Sequence, residues 1–423
     1  MRIRALIAAA ALALTAGVAT GTSPAAAVEG DLTNPLTPVG RDGSTTVGWN
    51  GWLYFGGETN AVGWELWRTD GTTVELVADI AAGPDDAFPH ELTPFGEWLY
   101  FRAETPATGS ELWRTDGTNT ELVADIEPGP ESSRPGNLAV LGDVLYFTTA
   151  SAQSVLRSFD GAVLTRVGDV GPLVSELTPL GDWLYFAGID DENFDSVGVY
   201  RTQGVGAERL FDHPASGLAA IGDWIYFGGT TPELGAELWR TNGATTELVA
   251  DIWPGVASSY PGDFEVLDEW VYFQATTAVH GAELWRTDGV TTELFADIVE
   301  GPNTSWPRAF RTVGEWMYFP ADTPQTGIEL WRTNGATTEL VADINPGWES
   351  SEPDSLGGLD GWVYFRATEM TADSNYFDGF SHLWRSDGDV TERVGFDGRP
   401  LLTDYLLFGQ PDTAPAWTST VFT

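Results

Sequence analysis

Glu111-Leu112-Trp113-Arg114-Thr115-Asp116-Gly117 is the stretch on which the fold turns, because it returns with small changes in eight places along the chain. A longer unit surrounds it, running from Leu92-Thr93-Pro94 through Trp98-Leu99-Tyr100-Phe101 to Glu121-Leu122-Val123-Ala124-Asp125-Ile126. The Tyr-Phe marker of that unit falls at Tyr54, Tyr100, Tyr146, Tyr185, Tyr226, Tyr272, Tyr318 and Tyr364, 46 residues apart except around the third to fifth copies. Repetition at such a period marks an architecture built from one supersecondary unit. Each unit holds four short runs rich in aromatic and β-branched residues, separated by Gly, Pro, Asp and Asn, which specifies strands and turns rather than helices.

The connections differ in length. Gly-Glu or Gly-Asp joins the first and second runs, as at Gly181-Asp182, and Asp-Gly or Asn-Gly joins the third and fourth, as at Asp70-Gly71 and Asn242-Gly243. Both suit tight hairpins, where glycine supplies a positive φ. About eight residues separate the second run from the third, and about ten follow the fourth. A four-stranded unit with tight hairpins, repeated many times, is a propeller blade. The expectation is an all-β chain, a single β-propeller domain over residues 28–423. A ninth, altered copy reads Tyr405-Leu406-Leu407-Phe408 and Thr420-Val421-Phe422, and Val28-Glu29-Gly30-Asp31-Leu32-Thr33-Asn34-Pro35 lines up with a fourth strand and its loop. That predicts nine blades, with an N-terminal strand pairing in the last blade to close the ring and remove free edges. Eight blades, with the last half-unit outside the ring, is the alternative.

The units also resemble the bacterial ELWxxDGT repeat family. The resemblance rests on Glu65–Thr72 and Glu111–Thr118, on Asp125-Ile126-Glu127-Pro128-Gly129 and on Leu145-Tyr146-Phe147, and it covers nearly the whole mature chain. The hairpin after Asp-Gly is shorter here and lacks the family's second Gly-Thr. Units three and four carry Val155-Leu156-Arg157 and Val199-Tyr200-Arg201 in place of the motif. The resemblance implies an exported or surface repeat protein, and the family carries no established activity to transfer.

Residues 1–27 have the pattern of a secretory signal peptide: Arg2 and Arg4, an apolar run from Ala5 to Ala19, and Ala25-Ala26-Ala27 at the cleavage site. The expected location is extracellular. No later stretch approaches the ~20 apolar residues of a membrane span. The chain has no cysteine, which excludes thiol nucleophiles and thiolate metal sites. Without Arg2 and Arg4 it carries 18 arginines, no lysine and 62 acidic residues, a formal charge of −44. Nucleic acid and anionic membranes are excluded as partners by that field. A solvated acidic coat accounts for the charge; affinity for divalent cations is the sharper reading.

One arginine recurs in every unit, at Arg68, Arg114, Arg157, Arg201, Arg240, Arg286, Arg332 and Arg385. An Asp near the end of the fourth strand (Asp79, Asp125, Asp169, Asp251, Asp297, Asp343) is its expected cross-strand partner. The repeated Asp-Gly is turn chemistry, without the alternating ligands of a helix-loop-helix calcium site.

Function is expected on the face carrying the two long connections. Aromatics gather there: Phe88, Trp253, Tyr260, Trp306 and Trp348, joined by Tyr376 and Phe377 in the longest insertion, Met370 to Ser381. Loop aromatics beside acidic and hydroxyl groups suit stacking on sugar rings or anchoring a protein. Asp190, Asp191, Glu192 and Asp195 have the oxygen density to hold calcium, with a solvated acidic loop as the bland alternative. The four histidines (His90, His213, His280, His382) are scattered without triad or metal spacing. The expectation is therefore a secreted, monomeric binding module for a carbohydrate or protein, with no catalytic residue assigned. A structural envelope or matrix role and a glycan-active hydrolase or lyase are the alternatives.

Overall fold

The computed structural model describes residues 46–150, 154–168, 174–189, 197–370 and 381–394. Among these there is no helix; the chain forms eight four-stranded sheets, and no helix is long and apolar enough to cross a membrane. Blade 1 contains β1 (Thr46–Trp49), β2 (Trp52–Thr59), β3 (Gly63–Thr69) and β4 (Val74–Ala78). Blade 2 contains β5 (His90–Phe95), β6 (Trp98–Thr105), β7 (Gly109–Thr115) and β8 (Thr120–Ala124). Blades 3 to 8 follow over residues 135–166, 174–211, 215–250, 262–296, 311–342 and 354–393. Every sheet is an antiparallel meander in chain order. The first strands of successive blades lie beside one another around a central axis.

The second strand explains why the blades stack. In Trp98-Leu99-Tyr100-Phe101 the last three residues alternate between faces and all are buried. Both faces are covered because a blade has a neighbour on each side. The apolar core is accordingly divided into eight clusters, one per junction. One of them joins Leu53, Phe55 and Trp67 of blade 1 to Leu359, Tyr364 and Leu383 of blade 8.

That last cluster settles the blade number. Blade 8 abuts blade 1 directly: Thr46 Oγ1 donates to the Ser355 carbonyl at 2.9 Å, and Arg385 Nη1 to the Gly71 carbonyl at 2.8 Å. The seam leaves no room for a ninth blade, and blade 8 draws its fourth strand, Thr391–Arg393, from its own unit. The nine-blade count and the closure by Val28–Pro35 are therefore corrected to eight blades, each made from one contiguous segment. Residues 28–35 and 401–423 lie outside the described residues.

The repeated arginine is structural, but its partner is not the expected Asp. Arg68 stands opposite Glu75 in the β3–β4 register, and its Nε donates to Glu75 Oε1 at 2.6 Å. The same Arg–Glu pair recurs in seven blades. A bulge between Leu66 and Trp67 lies between this pair and Asp79, which instead accepts the Gly83 amide at 3.1 Å and shapes the following loop. Each of these guanidiniums also stacks on the Trp that begins the second strand, 3.9–4.4 Å from the ring centroid. Several reach the next blade's hairpin carbonyl, as Arg68 does to Gly117 at 2.9 Å. Arg157 is the exception. It pairs in register with Phe147, where other blades place the motif Trp, and Ser158 takes the arginine position.

Candidate functional site

The second strands run on to Thr59, Thr105, Thr231, Thr277 and Thr323 and the third begin at Gly63, Gly109, Gly235, Gly281 and Gly327, so the connection expected to be about eight residues long is a tight turn in these blades. The long connections on that face are the ones from a fourth strand to the next blade, and a buried carboxylate organises them. The motif glutamates Glu65, Glu111, Glu237, Glu283 and Glu329 lie on third strands and are fully buried. Each caps the loop that leads to the next blade. Glu283 accepts the amides of Ile298 at 2.9 Å and Val299 at 3.4 Å at the start of its loop, and the Ser305 amide at 3.0 Å and hydroxyl at 2.6 Å at its end. Glu111, Glu237 and Glu329 repeat the arrangement with Ser133, Ser259 and Ser351. One side chain thus pins both ends of a connection: it is the acceptor for the amides at the loop's start, and at its end it shares the serine amide with a third-strand carbonyl, as at Ser305 and Ala282.

Burial pushes these carboxyls up, and the donors push back. Glu283 and Glu329 rise to about 7, with desolvation outweighing the serine and backbone donors. Glu65 rises further, to about 8. Its loop has Ala87 where the others have serine, so only the Ile80 and Ala81 amides hold it. In blade 8 His382 precedes Leu383-Trp384, where the other motifs have Glu. Its Nδ1 lies 2.7 Å from Arg393 Nη2, and burial and that arginine push its pKa down to about 4.

Immediately after the pinned serine or alanine comes a residue at positive φ and then a proline: Phe88 (46°), Arg134 (49°), Tyr260 (48°), Trp306 (46°) and Glu352 (52°). Its amide turns back to the third strand, as Arg134 N–H does to the Ser110 carbonyl at 3.0 Å and Trp306 N–H to the Ala282 carbonyl at 3.3 Å. The inner strand of the next blade starts just beyond. These five positions therefore ring the mouth of the axis. Left-handed backbone costs a non-glycine residue about 1–2 kcal/mol, and glycine would avoid that cost. The chain instead places large side chains there, and Tyr260 and Trp306 are 67% and 54% exposed.

Three of the predicted aromatics, Phe88, Tyr260 and Trp306, are thus one structural position in three different loops. Phe88 leans onto the blade 1–blade 8 core and is half-buried. Trp253 is half-buried at the start of its loop, its amide 3.4 Å from Glu237. Trp348 is 74% exposed and sits earlier in its loop, four residues before Glu352. The structure brings neither of these two to the mouth position. Tyr376, Phe377, Asp190, Asp191, Glu192 and Asp195 lie outside the described residues. The described residues hold no group of three His, Asp or Glu able to bind a metal.

A second ring lies one step deeper, where the inner strands bulge. Glu91 Oε2 accepts the Leu138 amide at 3.3 Å, Asn137 Oδ1 the Glu176 amide at 3.2 Å, and Asp263 Oδ1 the Ala309 amide at 3.4 Å. Each of these side chains, itself at positive φ, ties its blade to the next. Sequence reasoning missed both this ring and the buried glutamates. The signal for the latter was present: a Glu in an apolar strand, followed 22 residues later by Ser and then X-Pro.

No protein-family model matches the chain, and no curated protein matches it in sequence. Among solved structures it is similar to a computationally designed protein, at TM-score 0.50 and 14% identity over 84% of this chain and 100% of the other. It is similar also to a Mycobacterium tuberculosis puromycin-hydrolyzing peptidase, at TM-score 0.50 and 10% identity, over 83% of this chain and 63% of that one. The β-propeller domain of the Trilobed protease from Pyrococcus furiosus aligns at TM-score 0.43 and 13% identity, over 71% of this chain and 97% of that domain. At these identities the likeness is one of fold, and the fold is a β-propeller of eight four-stranded blades.

Proposed function

We propose that this chain is an exported carbohydrate-binding propeller whose ligand docks on the mouth of the long-loop face. One observation carries the reading. Tyr260 and Trp306 stand exposed at the same strained turn position in consecutive loops, where glycine would be favoured if only the turn mattered. Flat, exposed aromatics held on a pinned backbone suit the apolar faces of sugar rings, and the serines, carboxylates and amides around them supply hydrogen bonds. Export rests on the leader-like residues 1–27, and kinship with ELWxxDGT repeats is part of the same proposal.

The test is a glycan array followed by titration of a hit with the mature protein, with calcium and with chelator. Trp306→Ala and Tyr260→Ala are each expected to weaken binding about ten-fold, the ~1.4 kcal/mol of one stacked ring. Trp253→Ala is expected to leave it nearly unchanged. An array without a single saturable hit would end the carbohydrate reading and leave a protein partner or a structural role. A culture supernatant in which the protein does not begin near Val28 would end the export reading.

A further inference from the structure

We infer that the mouth carries, at the junction of blades 2 and 3, a subsite for the anionic group of an acidic saccharide. The inference deepens the proposed function and rests on it. Its ground is an imbalance. In a chain of 62 acidic and 20 basic residues, the seven motif arginines of the blades and Arg308, Arg366 and Arg393 all lie within 4.0 Å of a carboxylate. Arg102 and Arg134, like Arg157, Arg166 and Arg311, have no such partner among the described residues, although acids outnumber bases three to one; what sets Arg102 and Arg134 apart is that they share one junction.

The two arginines meet at the mouth. Arg102 leaves β6 opposite His90, and its Nη1 reaches 3.4 Å from the Pro135 carbonyl, one residue beyond Arg134. Arg134 holds the mouth position of that junction and is exposed. At the equivalent position beside blade 8, Arg366 is neutralised by Asp354. Blade 2 has His90 in place of that Asp. His90 is only 7% exposed, and both of its ring nitrogens are buried. Burial, then Arg102, pushes its pKa down to about 3 against a hydrogen bond to the Phe88 backbone, and an imidazole supplies no counter-charge to Arg102. Glu91 and Glu104 are the carboxylates nearest Arg102 in electrostatic effect; Glu91 is engaged with the blade 3 amide of Leu138.

Two arginine forks without a paired carboxylate form an acceptor-seeking site. Planar carboxylates and sulfates match the guanidinium fork. The chain's overall negative field does not forbid such binding, because at ~0.15 M salt charges more than about 8 Å away are largely screened. A neutral sugar offers this pair only single, uncharged acceptors, so the expected ligand carries uronate or sulfate groups on a backbone that also stacks on Tyr260 and Trp306.

Titration of the mature protein, in chelator, with neutral galacto-oligosaccharides, oligogalacturonates and sulfated galacto-oligosaccharides of equal length tests this. At least one acidic series is expected to bind ten-fold or more tighter than the neutral one, and the better series tells uronate from sulfate. Arg102→Gln with Arg134→Gln should erase that preference and leave neutral binding intact, whereas Trp306→Ala should weaken all three. Should the double variant melt early, Arg134→Gln alone decides, since its side chain is exposed. Equal binding of neutral and acidic series, or a preference that survives the arginine changes, overturns the subsite while the stacking platform stands. If none of the three binds, the carbohydrate reading falls and the subsite with it.

Discussion

Glu283→Ala is expected to cost roughly 3 kcal/mol of stability and to loosen the loop that carries Trp306. The substitution strips the acceptor from the amides of Ile298 and Val299 and from the Ser305 hydroxyl, and leaves the Ser305 amide only the Ala282 carbonyl at 3.2 Å. Each buried donor left unmet costs about 1–3 kcal/mol. The total falls below the simple sum because a freed loop can admit water. Glu283→Gln keeps one oxygen and turns an amide group toward the donors, so it should lie between wild type and alanine. Melting of the three proteins reads the stability. Hydrogen exchange at Ile298 and Val299 reads the loop, and both amides should exchange faster while those of the blade's second strand stay protected. An alanine variant that melts with the wild type, its loop amides still protected, would show that the carboxylate is not what holds the connection.

The second large effect is on pH. Glu65 rises from 4.5 to about 8, and Glu283 and Glu329 to about 7, chiefly because burial disfavours their charged form. A carboxyl whose folded pKa is raised contributes stability that is full below its unfolded pKa, near 4.5, and is lost as pH rises through the folded value. Stability should therefore fall between about pH 5 and pH 8. A tenfold change in an acidity constant is worth about 1.4 kcal/mol, and three such groups give a loss of several kcal/mol, with Tm falling on the order of 10 °C. The hairpin aspartates set the acid limb. Slight burial opposes it, but the Thr72 and Thr73 donors hold Asp70 down to about 2; Asp116, Asp288 and Asp387 are lowered in the same way. Their contribution is present above their unfolded pKa, near 3.8, and is lost as pH falls through their folded values. The maximum should sit near pH 4–5. High salt separates this mechanism from repulsion within the acidic coat, since it screens the exposed charges and not the buried carboxyls. A melting temperature that climbs from pH 5 to pH 8 in high salt would refute it.

The blades are legible in the sequence because one aromatic pair marks the second strand in every unit and strand patterning repeats around it. Their number is not, because the Tyr405 copy counts as a unit on its Tyr and Phe although it lacks the Trp and the arginine motif that make an inter-blade contact. Pairing Arg68 with Asp79 fails because position in sequence ignores the bulge at Leu66–Trp67, and register decides which side chains face each other. Arg157 misleads for a related reason: its identity aligns it with the motif arginines, whereas the ladder aligns it with Phe147. At the mouth, Phe88, Tyr260 and Trp306 stand out in sequence as loop aromatics, but their common place before a proline acquires meaning only with the backbone in view. Arg102 and Arg134 carry no sequence signal at all. An arginine without a carboxylate shows itself only when the partners of the others are known.

The seam between blades 8 and 1 has one more consequence. It is made as four other junctions are, by an apolar cluster and a guanidinium reaching a hairpin carbonyl, and no sheet crosses it. Moving the chain's ends to any other junction would therefore break no strand pairing, which makes the long connections the natural places for a circular permutation. Gain or loss of a whole unit would likewise change the circumference of the ring without requiring any blade to be rewired.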